Sequence, residues 1–366
     1  MKKIIQVVGA RPNFMKVAPI HRAILEIPDW DSCIVHTGQH RDVNMSDIFF
    51  KQLQLNEPRH FLGVKSGSHT QMTADIMLAF EGILDLEKPD LVIVVGDVTS
   101  TLACALTSVR CGIPVAHVEA GLRSWDRNMP EEINRILTDQ LSDVLFTTEG
   151  SGAKNLLQEN IPEHKIHFVG NCMIDSLIRI LPFAQHQEHC SRWGLLRGSY
   201  ALMTMHRPTN VDTEIGLRKI IQIVECILKE IPVVFPVHPR TRNRLMEFGL
   251  WTSLEQQKGL FLTEPLGYIE FISLLNDSRF ILTDSGGIQE ESTFLKIPCL
   301  TFRKTTERPV TVEVGSNRMI SDLSMESVHR SVLGILTGQT LPSEIPELWD
   351  GHAGKRIVEV LLRGKM

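Results

Sequence analysis

The chain has 366 residues, 43% of them hydrophobic and 22% charged, so it can bury sizeable cores, and its length favours two domains. The net charge is only -5 and the 38 basic residues are spread along the sequence, which argues against nucleic acid as a partner. The 7 cysteines are odd in number and lack any CxxC spacing, which fits a reducing cytoplasm.

The apolar run at the start of the sequence is broken by Gly9 and Arg11, so it is too short for a signal peptide or a membrane span. We expect it to form the first strand. From there, short runs rich in Val and Ile alternate with helical patterns, which is typical of βαβ units and parallel sheets. The sequence therefore predicts an α/β fold with two similar sheets in tandem.

The predicted strands fall into two groups, separated by a polar stretch at 185–199. Those of the first group lie near 4–8, 32–37, 91–95, 114–118, 144–147 and 166–169. Those of the second group lie near 200–205, 233–237, 260–262, 279–283 and 298–302. The segment 336–366 has a helical pattern and carries no chemistry. Arg11 and Lys16 are close enough to reach one ligand if the first helix begins near Asn13.

Polar residues follow several predicted strands of the first group. Arg11 and Lys16 come after the first strand, Asp97 after the strand near 91–95, and Glu119 after the strand near 114–118. Ligands of open α/β sheets bind at the carboxyl ends of the strands, so these residues are candidates for a site. Each of these residues also has a purely structural explanation. Asp97 and Glu119 could cap helices, and the Arg11 and Lys16 cations could be solvated.

The strands of the second group end in histidines, arginines and a glycine loop. His206 and Arg207 follow one strand, His238 another, and the sequence 284–287, DSGG, a third. A helix that starts at Ser285 would turn its N–H groups toward a phosphate, although a serine N-cap with a glycine turn explains the same letters about equally well. This division predicts chemistry on the first domain and anion binding on the second, with the ligand across the cleft between them.

Two absences narrow the chemistry further. The first loop does not match GxGxxG and no GxxxxGK[ST] occurs, so neither a nicotinamide cofactor nor ATP is expected. No HExxH or Cys/His metal spacing occurs either, and we predict no required catalytic metal.

Several motifs in this order resemble the non-hydrolysing UDP-N-acetylglucosamine 2-epimerases over nearly the whole chain. They are GARPNFMK at 9–16, GQH at 38–40, GD at 96–97, HVEAGLR at 117–123, PEEINR at 130–135, DSGGIQEE at 284–291 and TERP at 306–309. The resemblance implies a GT-B type fold, in which two Rossmann-like domains face each other across a cleft, and a homodimer. It implies domains at 1–172, with the catalytic acids, and at 173–350, with the UDP site, and a C-terminal helix at 351–366 that packs back on the first.

The resemblance also implies roles for individual residues. The catalytic set is Asp97, Glu119, Glu131 and His206. The set around the substrate and its UDP group is Arg11, Lys16, Gln39, His40, Arg207, His238, Ser285, Gly286, Gly287, Glu291 and Arg308. The implied reaction is reversible epimerisation at C2 of UDP-N-acetylglucosamine to UDP-N-acetylmannosamine, by elimination of UDP to 2-acetamidoglucal and re-addition, without a cofactor.

One position departs from the family pattern and limits what is carried over. Pro208 stands where many members have a second arginine, so allosteric activation by substrate is not inferred. The first loop also occurs in relatives that act on other UDP-2-acetamido sugars, which leaves the exact sugar open. Three alternatives remain at this point: a hydrolysing epimerase, a GT-B glycosyltransferase, and a UDP-sugar-binding protein without catalysis.

Overall fold

The computed structural model describes residues 1–39, 53, 55–64, 67–185, 189–321, 323–339 and 342–364, without the Arg11 side chain. The chain divides into two compact units, one made of Met1–Arg179 with Glu347–Met366 and the other of Ile180–Pro346. Each unit holds one sheet whose described strand pairs are all parallel. None of the described helices is long and apolar enough to cross a membrane.

The first unit contains a seven-stranded sheet in the order β3-β2-β1-β4-β5-β6-β7. Its strands are β1 Lys2–Val8, β2 Trp30–His36, β3 His60–Phe61, β4 Leu91–Val95, β5 Val115–Val118, β6 Val144–Thr147 and β7 Ile166–Phe168. The helices along this part of the chain are α1 Arg11–Leu25, α2 His69–Glu87, α3 Thr99–Arg110, α4 Pro130–Leu141, α5 Gly150–Gln158 and α6 Cys172–Gln185. All residues of β4 are buried, as expected for a central parallel strand with helices on both faces.

The second unit contains a six-stranded sheet in the order β10-β9-β8-β11-β12-β13. Its strands are β8 Ala201–Thr204, β9 Val233–Pro236, β10 Leu260–Thr263, β11 Phe280–Thr283, β12 Cys299–Thr301 and β13 Asn317–Met319. Its other helices are α7 Pro208–Val211, α8 Glu214–Ile227, α9 Pro239–Glu247, α10 Trp251–Glu255, α11 Tyr268–Asp277, α12 Gly286–Leu295, α13 Val310–Glu313 and α14 Met325–Leu336. Apolar residues of β8, β9, β11 and α8 form one buried cluster that holds these strands together.

The α/β fold class predicted from the sequence is confirmed, and each of the predicted strands overlaps a strand of the structure. Two strands, β3 and β13, were missed because they are short and contain His60, Asn317 and Arg318 instead of an apolar run. The first helix begins at Arg11 rather than near Asn13. The prediction that 336–366 is helical was too broad, because the described residues between Gly338 and His352 form no helix.

The C-terminal helix, α15 Ala353–Leu362, packs against α1 within the first unit. Its first N–H groups, those of Ala353 and Gly354, donate to the Asp175 carboxylate at 3.2 and 2.8 Å. A Cβ added to Gly354 would lie 2.8 Å from the Pro19 carbonyl, so the two helices touch at backbone distance. The change of unit along the chain falls inside α6, between residues 179 and 180, and again between 346 and 347.

The contact between α15 and α1 makes Gly354→Ala a test of this packing. Because the methyl group would meet backbone atoms that cannot rotate away, we expect the free energy of unfolding to fall by about 1–3 kcal/mol. Gly82→Ala in α2 is the matched control, since nothing lies within 4 Å of its added Cβ. That control should be neutral or stabilising by about 0.4–1 kcal/mol. Urea unfolding of both variants gives the comparison, and equal effects would contradict the packing.

Candidate active site

The acids predicted for the first unit lie at the carboxyl edge of its sheet, after two neighbouring strands. Gly96 and Asp97 follow β4, and Glu119 follows β5. Glu119 has a φ of 74°, a left-handed conformation that is uncommon for a residue with a side chain. Such backbone strain persists only where the surroundings enforce it, and it concentrates at functional sites.

Glu119 forms a buried ion pair with Lys16 of α1. Both side chains are less than a tenth exposed, and a Cβ added to Gly96 would lie 3.0 Å from the Lys16 ammonium and 3.4 Å from the Glu119 carboxylate. The pair therefore packs directly against the backbone that precedes Asp97. Lys16 is thus not the solvated helix residue of the structural alternative.

Asn13 secures the loop before α1, the helix that carries Lys16. Its side-chain oxygen accepts hydrogen bonds from the backbone N–H groups of Gly9 and Ala10 at 3.0 and 2.9 Å, and its amide donates to the Val95 carbonyl at 3.1 Å. The first loop is therefore tied to the end of β4. Sequence reasoning placed Asn13 only in a motif and assigned it no role.

Asp97 is held by two residues of α4. Its carboxylate pairs with Arg135, and its carbonyl accepts a hydrogen bond from the Asn134 amide at 2.8 Å. Glu131 lies three and four positions before these residues, which places it on the same side of the helix. Within the described part of the chain, the Glu131 carboxylate has no hydrogen-bond or ion-pair partner, and it sits in the first turn, where the helix dipole favours a negative charge.

Glu132, the neighbour of Glu131, has a structural role instead. It is buried and accepts hydrogen bonds from the backbone N–H groups of Ser124 and Trp125 and from Arg135. Burial opposes ionisation, but the Ser124 and Arg135 hydrogen bonds outweigh it and lower the pKa of the Glu132 carboxyl. The two adjacent glutamates therefore differ: one fastens a loop and the other remains unpaired.

Two predicted binding groups of the first unit, His40 and the Arg11 side chain, lie outside the described residues. The Gln39 side-chain oxygen accepts hydrogen bonds from the Ser100 N–H at 3.0 Å and from its hydroxyl at 2.7 Å, at the start of α3. The Gln39 side-chain oxygen is therefore already hydrogen-bonded within the protein.

Among the described residues, the group able to hold a metal ion is Cys33, His60 and Glu87, whose ligand atoms lie within 4.8 Å of one another. The Glu87 carboxylate already binds the Lys3 ammonium at 2.8 Å and lies 3.8 Å from the Arg59 guanidinium. Two cations at this carboxylate disfavour a third. That no metal is required stays a prediction.

In the second unit, Asp284 organises the ends of β8 and β11. It is fully buried, and it accepts hydrogen bonds from the N–H groups of His206 and Arg207 and from the Asn210 amide, at 2.9–3.1 Å. The His206 Nδ1 lies 3.0 Å from the same carboxylate, which leaves Nε2 as the ring nitrogen for a ligand. His206 and His238 lie side by side, with ring centroids 5.4 Å apart.

The glycine loop opens α12 as the sequence predicted. Within the described structure, the Ser285 side chain makes no capping hydrogen bond, so the serine N-cap alternative does not hold, and the first N–H groups lack intrahelical partners. A Cβ added to Gly286 would lie 2.8 Å from a nitrogen of Arg308, so only glycine lets this guanidinium lie against the helix start. A cation and a helix N-terminus at one point favour a phosphate ligand.

Glu291, predicted near the ribose, lies deeper in the same helix. It is buried and accepts a hydrogen bond from the Tyr268 hydroxyl at 2.9 Å. The preceding Glu290 instead pairs with Arg308 at 3.0 Å. Tyr268 was not singled out in the sequence, since no motif links α11 to α12.

Asp284 gives a test of this arrangement by pH. Burial opposes its ionisation, but the hydrogen bond and charge of His206, with the backbone N–H of Arg207, outweigh this and hold the pKa of Asp284 below its usual value. A lowered folded-state pKa stabilises the fold above the unfolded value near 3.9, and the stabilisation is lost as pH falls through the folded value.

We therefore expect Asp284→Asn to lower the free energy of unfolding at pH 7 by about 1–3 kcal/mol. The difference from the wild type should shrink as pH falls below about 4, because the unfolded carboxylate takes up a proton there while the native carboxylate, with its lower pKa, is protonated only at a lower pH. Urea unfolding between pH 7 and pH 3 measures both. A difference that does not change with pH would contradict the assigned ionisation.

Comparison with known proteins adds to this geometry. Residues 22–362 match the family model described as UDP-N-acetylglucosamine 2-epimerase. The chain is 43% identical to the UDP-N-acetylglucosamine 2-epimerase of Methanocaldococcus jannaschii, over 99% of this chain and 100% of that protein. It is 41% identical to the UDP-2,3-diacetamido-2,3-dideoxy-D-glucuronate 2-epimerase of Pseudomonas aeruginosa, over 99% of each.

A solved structure agrees with both sequence comparisons. The M. jannaschii UDP-GlcNAc 2-epimerase in complex with UDP-GlcNAc and UDP superposes with a TM-score of 0.90, at 42% identity and with 100% of each chain covered. These matches confirm the predicted family and, with it, the GT-B type of fold. The chain belongs to the UDP-N-acetylglucosamine 2-epimerase family.

Proposed function

We propose that the chain interconverts UDP-N-acetylglucosamine and UDP-N-acetylmannosamine by inverting C2, without hydrolysis. The observation that carries the proposal is the separation of chemical groups between the units. The first unit, whose loops are fastened by ion pairs, carries Asp97, Glu119 and Glu131. The second unit carries the N–H groups at Ser285 and the Arg308 guanidinium, which are donors suited to a phosphate. Sequence similarity to the relatives named above supports 2-epimerisation of a UDP-sugar, with UDP-N-acetylglucosamine in the name of one of them.

The chemistry explains why both sets of groups are needed. The C2 proton of an N-acetylhexosamine is not next to a carbonyl, and it becomes acidic only as UDP leaves C1 and the sugar gains oxocarbenium character. N–H groups of α12 and the Arg308 cation would stabilise the charge that develops on the diphosphate. A carboxylate can then remove the proton to give 2-acetamidoglucal.

Re-addition of UDP with protonation from the opposite face completes the inversion, which requires two positioned proton-transfer groups. Glu119 is suited to accept the proton, because its ion pair with Lys16 holds the carboxylate in one position. Asp97 and Glu131 are the candidates for the opposite face. His206, oriented by Asp284, would assist the departing diphosphate through its second ring nitrogen.

The direct test is incubation with UDP-N-acetylglucosamine in heavy water, followed by proton NMR. We expect the C2 proton signal to disappear and a second nucleotide sugar to form. Unlabelled, intact substrate would overturn the proposal, and release of free sugar with UDP would indicate the hydrolysing reaction instead. A panel that includes UDP-2,3-diacetamido-2,3-dideoxy-D-glucuronate, the compound in the name of the P. aeruginosa relative, tests which sugar is preferred.

The acids can be tested one at a time. Asp97→Asn, Glu119→Gln and Glu131→Gln should each lower the rate of C2 exchange by about 100-fold or more, the usual contribution of a general acid or base. Glu26→Gln, an exposed acid just after α1, is the control and should exchange at the wild-type rate. If the three variants kept wild-type exchange, the carboxylates would not be the proton-transfer groups.

Arg308 tests the nucleotide side of the site. Arg308→Met should weaken UDP binding by about 10- to 100-fold, because a charged hydrogen bond to phosphate contributes about 1.5–3 kcal/mol. Arg330→Met is the control, since that exposed arginine of α14 pairs with Glu326 on the same helix. Titration calorimetry with UDP measures both, and equal affinities for the two variants would contradict the role of Arg308.

Two further parts of the proposal come from the family resemblance. The protein is proposed to be a homodimer that works in the cytoplasm, where the reduced state of its described cysteines would be kept. Light scattering of the purified protein and fractionation of cells test these two points separately.

A further inference from the structure

A buried network of charged side chains lies directly beneath the loops that carry Asp97 and Glu119. His117 of β5 and Asp139 of α4 are fully buried, and the His117 Nδ1 lies 2.7 Å from the Asp139 carboxylate. The other carboxylate oxygen pairs with Arg123 at 2.7 Å and accepts the backbone N–H of Gly121 at 3.1 Å. Arg123 continues the network to Glu159 at 2.6 Å.

The second ring nitrogen of His117 lies 2.8 Å from the Gly96 carbonyl oxygen. A carbonyl oxygen can only accept, so Nε2 carries a proton. Arg123 and Gly121 both donate to the other oxygen of the Asp139 carboxylate. The His117 imidazole is thus held between the Gly96 carbonyl and the Asp139 carboxylate, without contact with solvent.

The His117–Asp139 network contacts the backbone next to both Asp97 and Glu119. One end fixes the carbonyl of Gly96, the residue immediately before Asp97. The other fixes the N–H of Gly121, two residues after Glu119, whose left-handed backbone needs such support. A displacement of either loop would move a carboxylate relative to the C2 proton.

We propose that His117, together with Asp139, is a positioning residue for catalysis: it holds the loops of Asp97 and Glu119 in register with each other and does not touch the substrate. This inference rests on the proposed epimerase function. A buried histidine could equally serve general stability, so the test must separate positioning from folding.

The test uses two variants of His117 and one of His21. His117→Phe keeps the ring volume and removes both hydrogen bonds, while His117→Gln keeps an amide that can donate to one of the acceptors. His21→Phe is the matched control, because His21 is a buried histidine of the same unit whose hydrogen bonds, to Ser32 at 2.7 Å and Gln6 at 3.4 Å, do not reach the acidic loops.

We expect His117→Phe to lower kcat about 100-fold while KM for the UDP-sugar stays within about threefold, since a misplacement near 1 Å has that effect on rate. His117→Gln should recover at least about tenfold of the lost kcat. His21→Phe should keep the wild-type kcat. If both His117 variants kept wild-type kcat, or if kcat and KM changed in His21→Phe as they do in His117→Phe, the inference would be overturned. If His117→Phe does not fold, His117→Gln is the remaining test. A kcat below the wild-type value with an unchanged KM would support the inference, and a wild-type kcat would overturn it.

A second readout does not depend on the reaction. Amide hydrogen exchange of the segments at 96–97 and 119–123 should be faster in His117→Phe, with the remainder of the first unit unchanged. Unchanged protection of these segments would overturn positioning even in an active enzyme. Absence of C2 exchange in the wild type would instead overturn the proposed function, and the exchange of the loops would still decide the role of His117.

Discussion

In each unit a buried aspartate ties together loops of the candidate site. Asp139 in the first unit and Asp284 in the second have no exposed surface, and each lies within hydrogen-bond distance of a histidine ring. Asp139 also accepts the backbone N–H of Gly121, and Asp284 accepts those of His206 and Arg207. A charge in such surroundings is stable only when its oxygens are well satisfied, and removal of one donor leaves a costly unpaired group. The loops around these carboxylates are therefore constrained to one arrangement.

The first unit presents negative charge that is only partly neutralised by nearby cations. Lys16 and Arg135 hold Glu119 and Asp97 close to the ends of β4 and β5, while Glu131 keeps an unpaired carboxylate among the described residues. Acids that are held by ion pairs keep a fixed position, which suits them to act at one carbon atom. The strained backbone at Glu119 fits the same function, because its conformation requires support from neighbouring loops.

The second unit presents donors instead. At the start of α12, backbone N–H groups lie beside the Arg308 guanidinium. The guanidinium can contact the helix there because Gly286 has no side chain. The contacts proposed for this surface are with the diphosphate and do not depend on the sugar. This fits the names of the relatives, which refer to different UDP-2-acetamido sugars.

The sequence alone determined the α/β class, the position of the longer strands and the residues at their carboxyl ends. This was possible because buried parallel strands are continuous apolar runs, and the polar residues that follow them stand out. The short strands β3 and β13 have no such run, and they exist only because a neighbouring strand offers hydrogen bonds.

The tertiary structure decided which partners each polar residue has. Residue type alone does not separate Glu131 from Glu132, or Glu290 from Glu291, which only the family resemblance distinguished. In the structure Glu132 fastens a loop, Glu290 pairs with Arg308 and Glu291 accepts a hydrogen bond from Tyr268. The roles of Asn13, His117 and Asp139 were likewise hidden, since their partners are 18 to 82 positions away in the sequence or are backbone atoms. Burial and hydrogen bonding depend on what lies nearby in space, and only the folded chain sets those neighbours.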